Sequence, residues 1–286
     1  MTDETPDKPN RLDQFREEAL AAGIPPDDVD RWLGTARPCA ILQLKPGDEP
    51  VVGRLGGPFV LPPDAPDPWC MLVATIDLAA LPEGSTDLGL PPDGHLMLFA
   101  DPDPESIDER NLGSALHIPA GTLVEERRVD LFLEWDEIYG SDFPEGPLRL
   151  MCDASLPYHS MVRDPGPPSV LSPLPGHPYV EELLSAWEEV PDEYHHPGLQ
   201  LGGYSLDEDP VEDPAVAAGR EAARAEARGE LPAAHTETRP EDWVCLAQWW
   251  PGVNEMAMAC FSWSIARQDL AAGRFDRVYA TMTFNP

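Results

Sequence analysis

Lysine is nearly missing from this chain: Lys8 and Lys45 are the only two, so seventeen of the 19 basic residues are arginines. Against them stand 52 acidic residues, for a formal net charge of −33. So few cations exclude bare nucleic acid as a partner, because affinity there comes from Lys and Arg neutralising phosphates. An anionic membrane surface is disfavoured for the same reason. Long apolar runs are also absent, and Met1 to Asn10 is polar and acidic without the apolar centre of a signal peptide, which predicts a cytoplasmic protein. Cysteine is sparse and odd in number. Cys39, Cys70, Cys152, Cys245 and Cys260 lie far apart, mostly among apolar neighbours, and read as reduced small hydrophobes rather than a disulfide frame or a metal site.

The chemical motifs are missing too. There is no G-x-G-x-x-G, Walker A loop, G-x-S-x-G, H-E-x-x-H or C-x-x-C, so no cofactor and no catalytic residue is assigned. The acidic stretch Asp101, Asp103, Glu105, Asp108 fails as a calcium loop, since Ser106 stands where Gly is needed and Leu112 where Glu is needed. His195 and His196, with Glu193 and His177, form a metal or acid–base site only if the fold gathers them, and adjacent histidines in a Pro-rich loop usually diverge. No nucleophile with a neighbouring base is assigned among Ser155, Ser160 and Ser172.

What is present is the grammar of a folded chain: 42% hydrophobic residues, with 35 prolines and 22 glycines as punctuation. Residues 1–10 read as a disordered tail and 11–286 as a single domain. Helices are expected over 11–22, with Leu12, Phe15 and Leu20 on one face, over 25–33, and over 179–189. An Ala-rich charged segment over 213–230, with almost no apolar stripe, reads as part of a surface insertion at about 211–232. Strands are expected at 40–44, 71–76, 95–100, 129–133, 244–249, 256–265 and 278–284.

An internal echo links the two halves. Arg54-Leu55-Gly56-Gly57, then Trp69-Cys70-Met71-Leu72, then a strand at 95–100 recurs as Gln200-Leu201-Gly202-Gly203-Tyr204, then Trp243-Val244-Cys245-Leu246, then a strand at 256–265. The pattern, spanning 53–100 and 200–265, predicts two related strand-pair units. Each Gly-Gly pair should form a turn or bulge that needs φ > 0. Trp249-Trp250 ends a strand, so one indole should enter the core while its neighbour reaches the opposite face. Asp77 reads equally as an N-cap of the following turn or as part of a site.

The strings Gly53-Arg54-Leu55-Gly56-Gly57-Pro58, Trp69, Ile76-Asp77-Leu78-Ala79 and Gly94-His95-Leu96, followed by Leu201-Gly202-Gly203-Tyr204 and Trp243 to Gln248, resemble the YwqG-like family, a bacterial domain of unknown function. Two departures stand out: Thr75 replaces a typical Gln, and the proline and glutamine often found after the second Gly-Gly-Tyr are missing. The resemblance implies an α+β fold of antiparallel sheets with flanking helices. It supplies no activity. The association of some members with toxin systems implies a neutralising role.

The expectation is thus a non-enzymatic protein-binding module that engages a basic partner, with Gly56, Gly57, Trp69, Asp77, Gly202, Gly203, Tyr204, Trp243, Trp249 and Trp250 as binding candidates. The alternative is a small-molecule-binding protein or hydrolase with an unrecognised site. Oligomeric state is not legible.

Overall fold

The computed structural model describes residues 10–68, 70–101, 110–127, 144–163, 170–191, 198–206, 212–252 and 259–284. Its centre is one ten-stranded sheet, antiparallel at every pairing. From one edge to the other it runs β14 (Tyr279–Phe284), β13 (Ala259–Ala266), β12 (Trp243–Trp250), β11 (Gly198–Gly202), β1 (Arg37–Gln43), β8 (Gly146–Ser155), β2 (Val51–Leu55), β4 (Met71–Asp77), β5 (His95–Ala100) and β6 (Gly113–Ile118). The α+β class and the antiparallel pairing match the expectation. The two echoed units do not form sheets of their own; both belong to this single large sheet, which curls until its edges meet. The echoed segments occupy β2-β4-β5 and β11-β12-β13, on either side of the central β1–β8 pair. The expected strand at 129–133 and the histidine pair lie outside the described residues, as do residues 1–9, most of the expected tail; Asn10 caps the first helix.

Alternation drives the curl. On β13, Phe261, Trp263 and Ile265 point inward with Leu199, Leu201, Leu96, Leu98, Leu148 and Leu150 from other strands, forming one interior core. The strands β4 and β12 each carry a bulge, between Leu72 and Ala74 and between Cys245 and Ala247, which raises local twist. Where the edge strands β6 and β14 meet, Asn111 stands in for a peptide group. Its Oδ1 accepts from Ala280 N (2.8 Å), its Nδ2 donates to Val278 O (3.0 Å), and Leu112 N donates to Ala280 O (3.0 Å). Edges that would otherwise expose unpaired backbone are thereby joined. Trp263 adds a bond from Nε1 to Phe99 O at 2.9 Å.

Three layers cover the outer face. A bundle of α1 (Arg11–Ala21), α2 (Pro26–Leu33) and α3 (Val180–Glu188) buries Phe15, Val29, Trp32, Leu183 and Trp187 together with Leu156. Leu20, expected on the apolar face of α1, is instead exposed, and Ala19 is buried in its place. A small sheet of β3 (Phe59–Leu61) and β7 (Glu125–Arg127) covers Leu72, Met97 and Phe99. The third layer is the Ala-rich segment, helix α4 (Pro214–Arg228), which lies on β12 and β14. Ala218, Ala222 and Ala225 repeat at helical spacing and face Trp243 and Tyr279, so alanine supplies the stripe that larger side chains do not. Gly219 lets the Trp243 ring approach so closely that a Cβ there would sit 2.7 Å from it. Behind it, the buried Arg277 donates from Nε to Asp269 (2.7 Å) and pairs with Glu226 of α4 (3.0 Å). No described helix is long and apolar enough to cross a membrane.

Candidate functional site

The two Gly-Gly turns adopt the positive φ expected: 58° and 83° at Gly56 and Gly57, 68° and 74° at Gly202 and Gly203. They do not share a cleft. Through the chain of antiparallel pairings β11–β1–β8–β2, strand β2 runs opposite to β11, so the turns that follow them sit at opposite ends of the barrel.

The second turn is the more elaborate. Gly203 N donates to Asp87 Oδ1 at 2.9 Å, and Tyr204 N donates to Ser155 Oγ at 2.8 Å. Gln200, buried on β11, donates through Nε2 to Gly202 O and Tyr204 O, both at 2.9 Å. Its cross-strand neighbour Gln248 holds Leu206 from both sides, accepting from Leu206 N at 2.8 Å and donating to Leu206 O. Two buried glutamines therefore strap residues 202–206 onto the outside of the sheet, satisfying backbone groups that no ladder reaches.

The strap delivers Tyr204 to a cleft of about 300 Å³ between the start of β1, the hairpin of β9 (Met161–Arg163) and β10 (Leu171–Pro173), and the first turn of α4. Tyr204 donates from its hydroxyl to Thr35 O at 3.0 Å, and burial holds the phenol above its usual pKa. The Arg37 guanidinium stacks on the ring, 3.8 Å from its centre. Its nearest carboxylate, Asp87, lies 3.7 Å from Nε, an ion-pair distance too long for a hydrogen bond. The ring of His159, only 8% exposed, is centred 6.4 Å from that of Tyr204. Burial, with help from Arg37, lowers its pKa from 6.5, so the imidazole is neutral at pH 7; Asp213 and Glu212 oppose that shift. Among the described residues neither Arg37 nor His159 makes a side-chain hydrogen bond.

Of the other candidates, Asp77 is an N-cap, accepting from Ala79 N at 3.1 Å. Trp243 is buried beneath α4, Trp249 is buried inside the barrel against Phe261, and Trp250 is half-buried on the opposite face. Trp69 is outside the described residues. No three His, Cys, Asp or Glu side chains among the described residues are grouped as metal ligands. Four cysteines are buried and Cys152 is exposed; burial pushes the Cys245 thiol up to about 12. Sequence reasoning found Tyr204 but missed Arg37, Asp87 and His159. The one available signal was His159 set in the apolar run 156–158.

The family described as Domain of unknown function (DUF1963) matches residues 53–283, more than three-quarters of the chain. The chain belongs to the DUF1963 family. The match takes in Asp87, His159 and the whole strap, while Thr35 and Arg37 precede it. No curated protein matches the chain.

Proposed function

We propose that the protein is a non-catalytic binding module whose ligand site is the cleft over Tyr204. The observation that carries this reading is the pair Arg37 and His159, set in one cleft with hydrogen-bonding capacity that the described residues leave unused. A ligand entering the cleft would meet a guanidinium fork and an imidazole that no described residue occupies. Native mass spectrometry of gently purified protein should show a bound small molecule, lost in Arg37→Gln. Identical spectra for wild type and variant, with no adduct in either, would count against the cleft.

A second reading, a basic protein partner such as a toxin that this protein neutralises in the cytoplasm, is favoured by a different observation. Every described arginine except Arg149 and Arg239 sits in an internal ion pair, which leaves a large excess of carboxylates without a cation of the chain to balance them. Such a surface steers cationic partners, and the attraction is screened over about 8–10 Å at physiological salt. Affinity capture from the host at low and then moderate salt tests it: a stoichiometric basic protein should be released as salt rises. Capture indifferent to salt would remove the electrostatic argument.

A further inference from the structure

We infer that the ligand of this cleft is a small zwitterion with an apolar side chain, the chemistry of a free aliphatic amino acid. The inference rests on the cleft being the ligand site. Arg37 argues for the carboxylate. Its guanidinium face is used on Tyr204 while its N–H groups make no hydrogen bond, and a planar fork of that kind matches a carboxylate with two parallel bonds.

Carboxylates argue for the ammonium group. Asp213, Glu212 and Glu241 all line the cleft, and of these Glu212 is already paired with Arg163 and Arg220. With Glu212 balanced by Arg163 and Arg220, a ligand meets Asp213 and Glu241 beside Arg37; a phosphate or dicarboxylate suits only the arginine, and a plain amine suits only the carboxylates. A molecule of no net charge that carries both groups suits both. Met161, Val162, Leu174 and Val216 also line the cleft, apolar surface for an aliphatic side chain, and about 300 Å³ accommodates one such molecule. His159, neutral and 8% exposed, offers either a donor to the carboxylate or an acceptor to the ammonium group.

Isothermal titration calorimetry on the full chain tests this with leucine, methionine, N-acetyl-leucine, leucine amide, isoamylamine, inorganic phosphate and glucose. Leucine or methionine should bind. Blocking either charged end should weaken binding by about tenfold or more, and Arg37→Gln should weaken it by about ten- to a hundredfold. Arg37→Lys, which keeps the charge but loses the fork, should also weaken it at least about tenfold while the urea midpoint of the unliganded protein stays near wild type. If N-acetyl-leucine, leucine amide or phosphate binds as tightly as leucine and Arg37→Gln abolishes that binding, the zwitterion is wrong and the cleft stands. Binding of any probe that is indifferent to both Arg37→Gln and His159→Gln overturns the zwitterion and the cleft together, as does the absence of binding by every probe.

Discussion

Replacing Gly203 by alanine should destabilise the protein far more than the same change at Gly57, although the two glycines hold equivalent places in the echoed turns and both have positive φ, 74° and 83°. Backbone strain is common to both, about 1–2 kcal/mol for a residue with a Cβ in the left-handed region. The surroundings differ. A Cβ on Gly203 would lie 2.4 Å from Ser155 Oγ and 2.9 Å from Cys39 Cβ, both on the adjoining central strands, and relief requires backbone movement. Such overpacking costs roughly 1–3 kcal/mol, and displacing Ser155 loses the bond from Tyr204 N, about 1 kcal/mol more. A Cβ on Gly57 would instead meet Arg54 Nε at 2.5 Å. That side chain is half exposed and can swing aside, giving up a surface pair with Glu145 that contributes at most about 1 kcal/mol. The expectation is a loss of roughly 3–5 kcal/mol for Gly203→Ala against roughly 1–2 for Gly57→Ala, read from urea unfolding with a shared m-value. Equal losses, or a larger one at Gly57, would refute the claim that the strap rather than φ alone demands glycine at 203.

Asn111→Ala should cost about 2–4 kcal/mol, because the backbone groups of Val278 and Ala280 at the barrel seam lose their partners; a loss under about 0.5 kcal/mol in thermal unfolding would show that the seam holds without it. Gly219→Ala improves helix propensity by about 1 kcal/mol yet should still destabilise, since the new Cβ meets the Trp243 ring at 2.7 Å; stabilisation would mean that α4 lifts freely off the sheet. His159 should make stability fall as pH drops. Its folded pKa is lowered from 6.5, so below that pH the unfolded chain takes up the proton first, and stability declines by at most about 1.4 kcal/mol per pH unit until the folded value is passed. In His159→Gln the difference in unfolding free energy between about pH 7.5 and 5.5 should shrink; an unchanged difference would show that burial does not hold this imidazole neutral.

Much of the sheet was legible because alternation is a local property. The expected strands at 71–76, 95–100 and 244–249 fall inside β4, β5 and β12, and Asp77 caps the following turn as its side chain permits. Strand β8 was not anticipated, although Leu148 and Leu150 alternate with Arg149; its Pro147 lies opposite Arg54 near the end of the strand. The helix α4 looked unanchored because alanine is a weak signal, and only a flat surface with Trp243 on it turns small residues into a packing face.

The charge surplus, the scarcity of recognised chemical motifs and the positive-φ glycines were properties of the sequence itself, set by composition and by the steric limits of single residues. The cleft was decided by tertiary structure. Arg37 and Tyr204 are 167 positions apart, and nothing local to either predicts that the guanidinium stacks on the ring. Strand pairing alone sends the two Gly-Gly turns to opposite ends of the barrel, because direction in an antiparallel sheet reverses at every pairing and depends on how many pairings intervene.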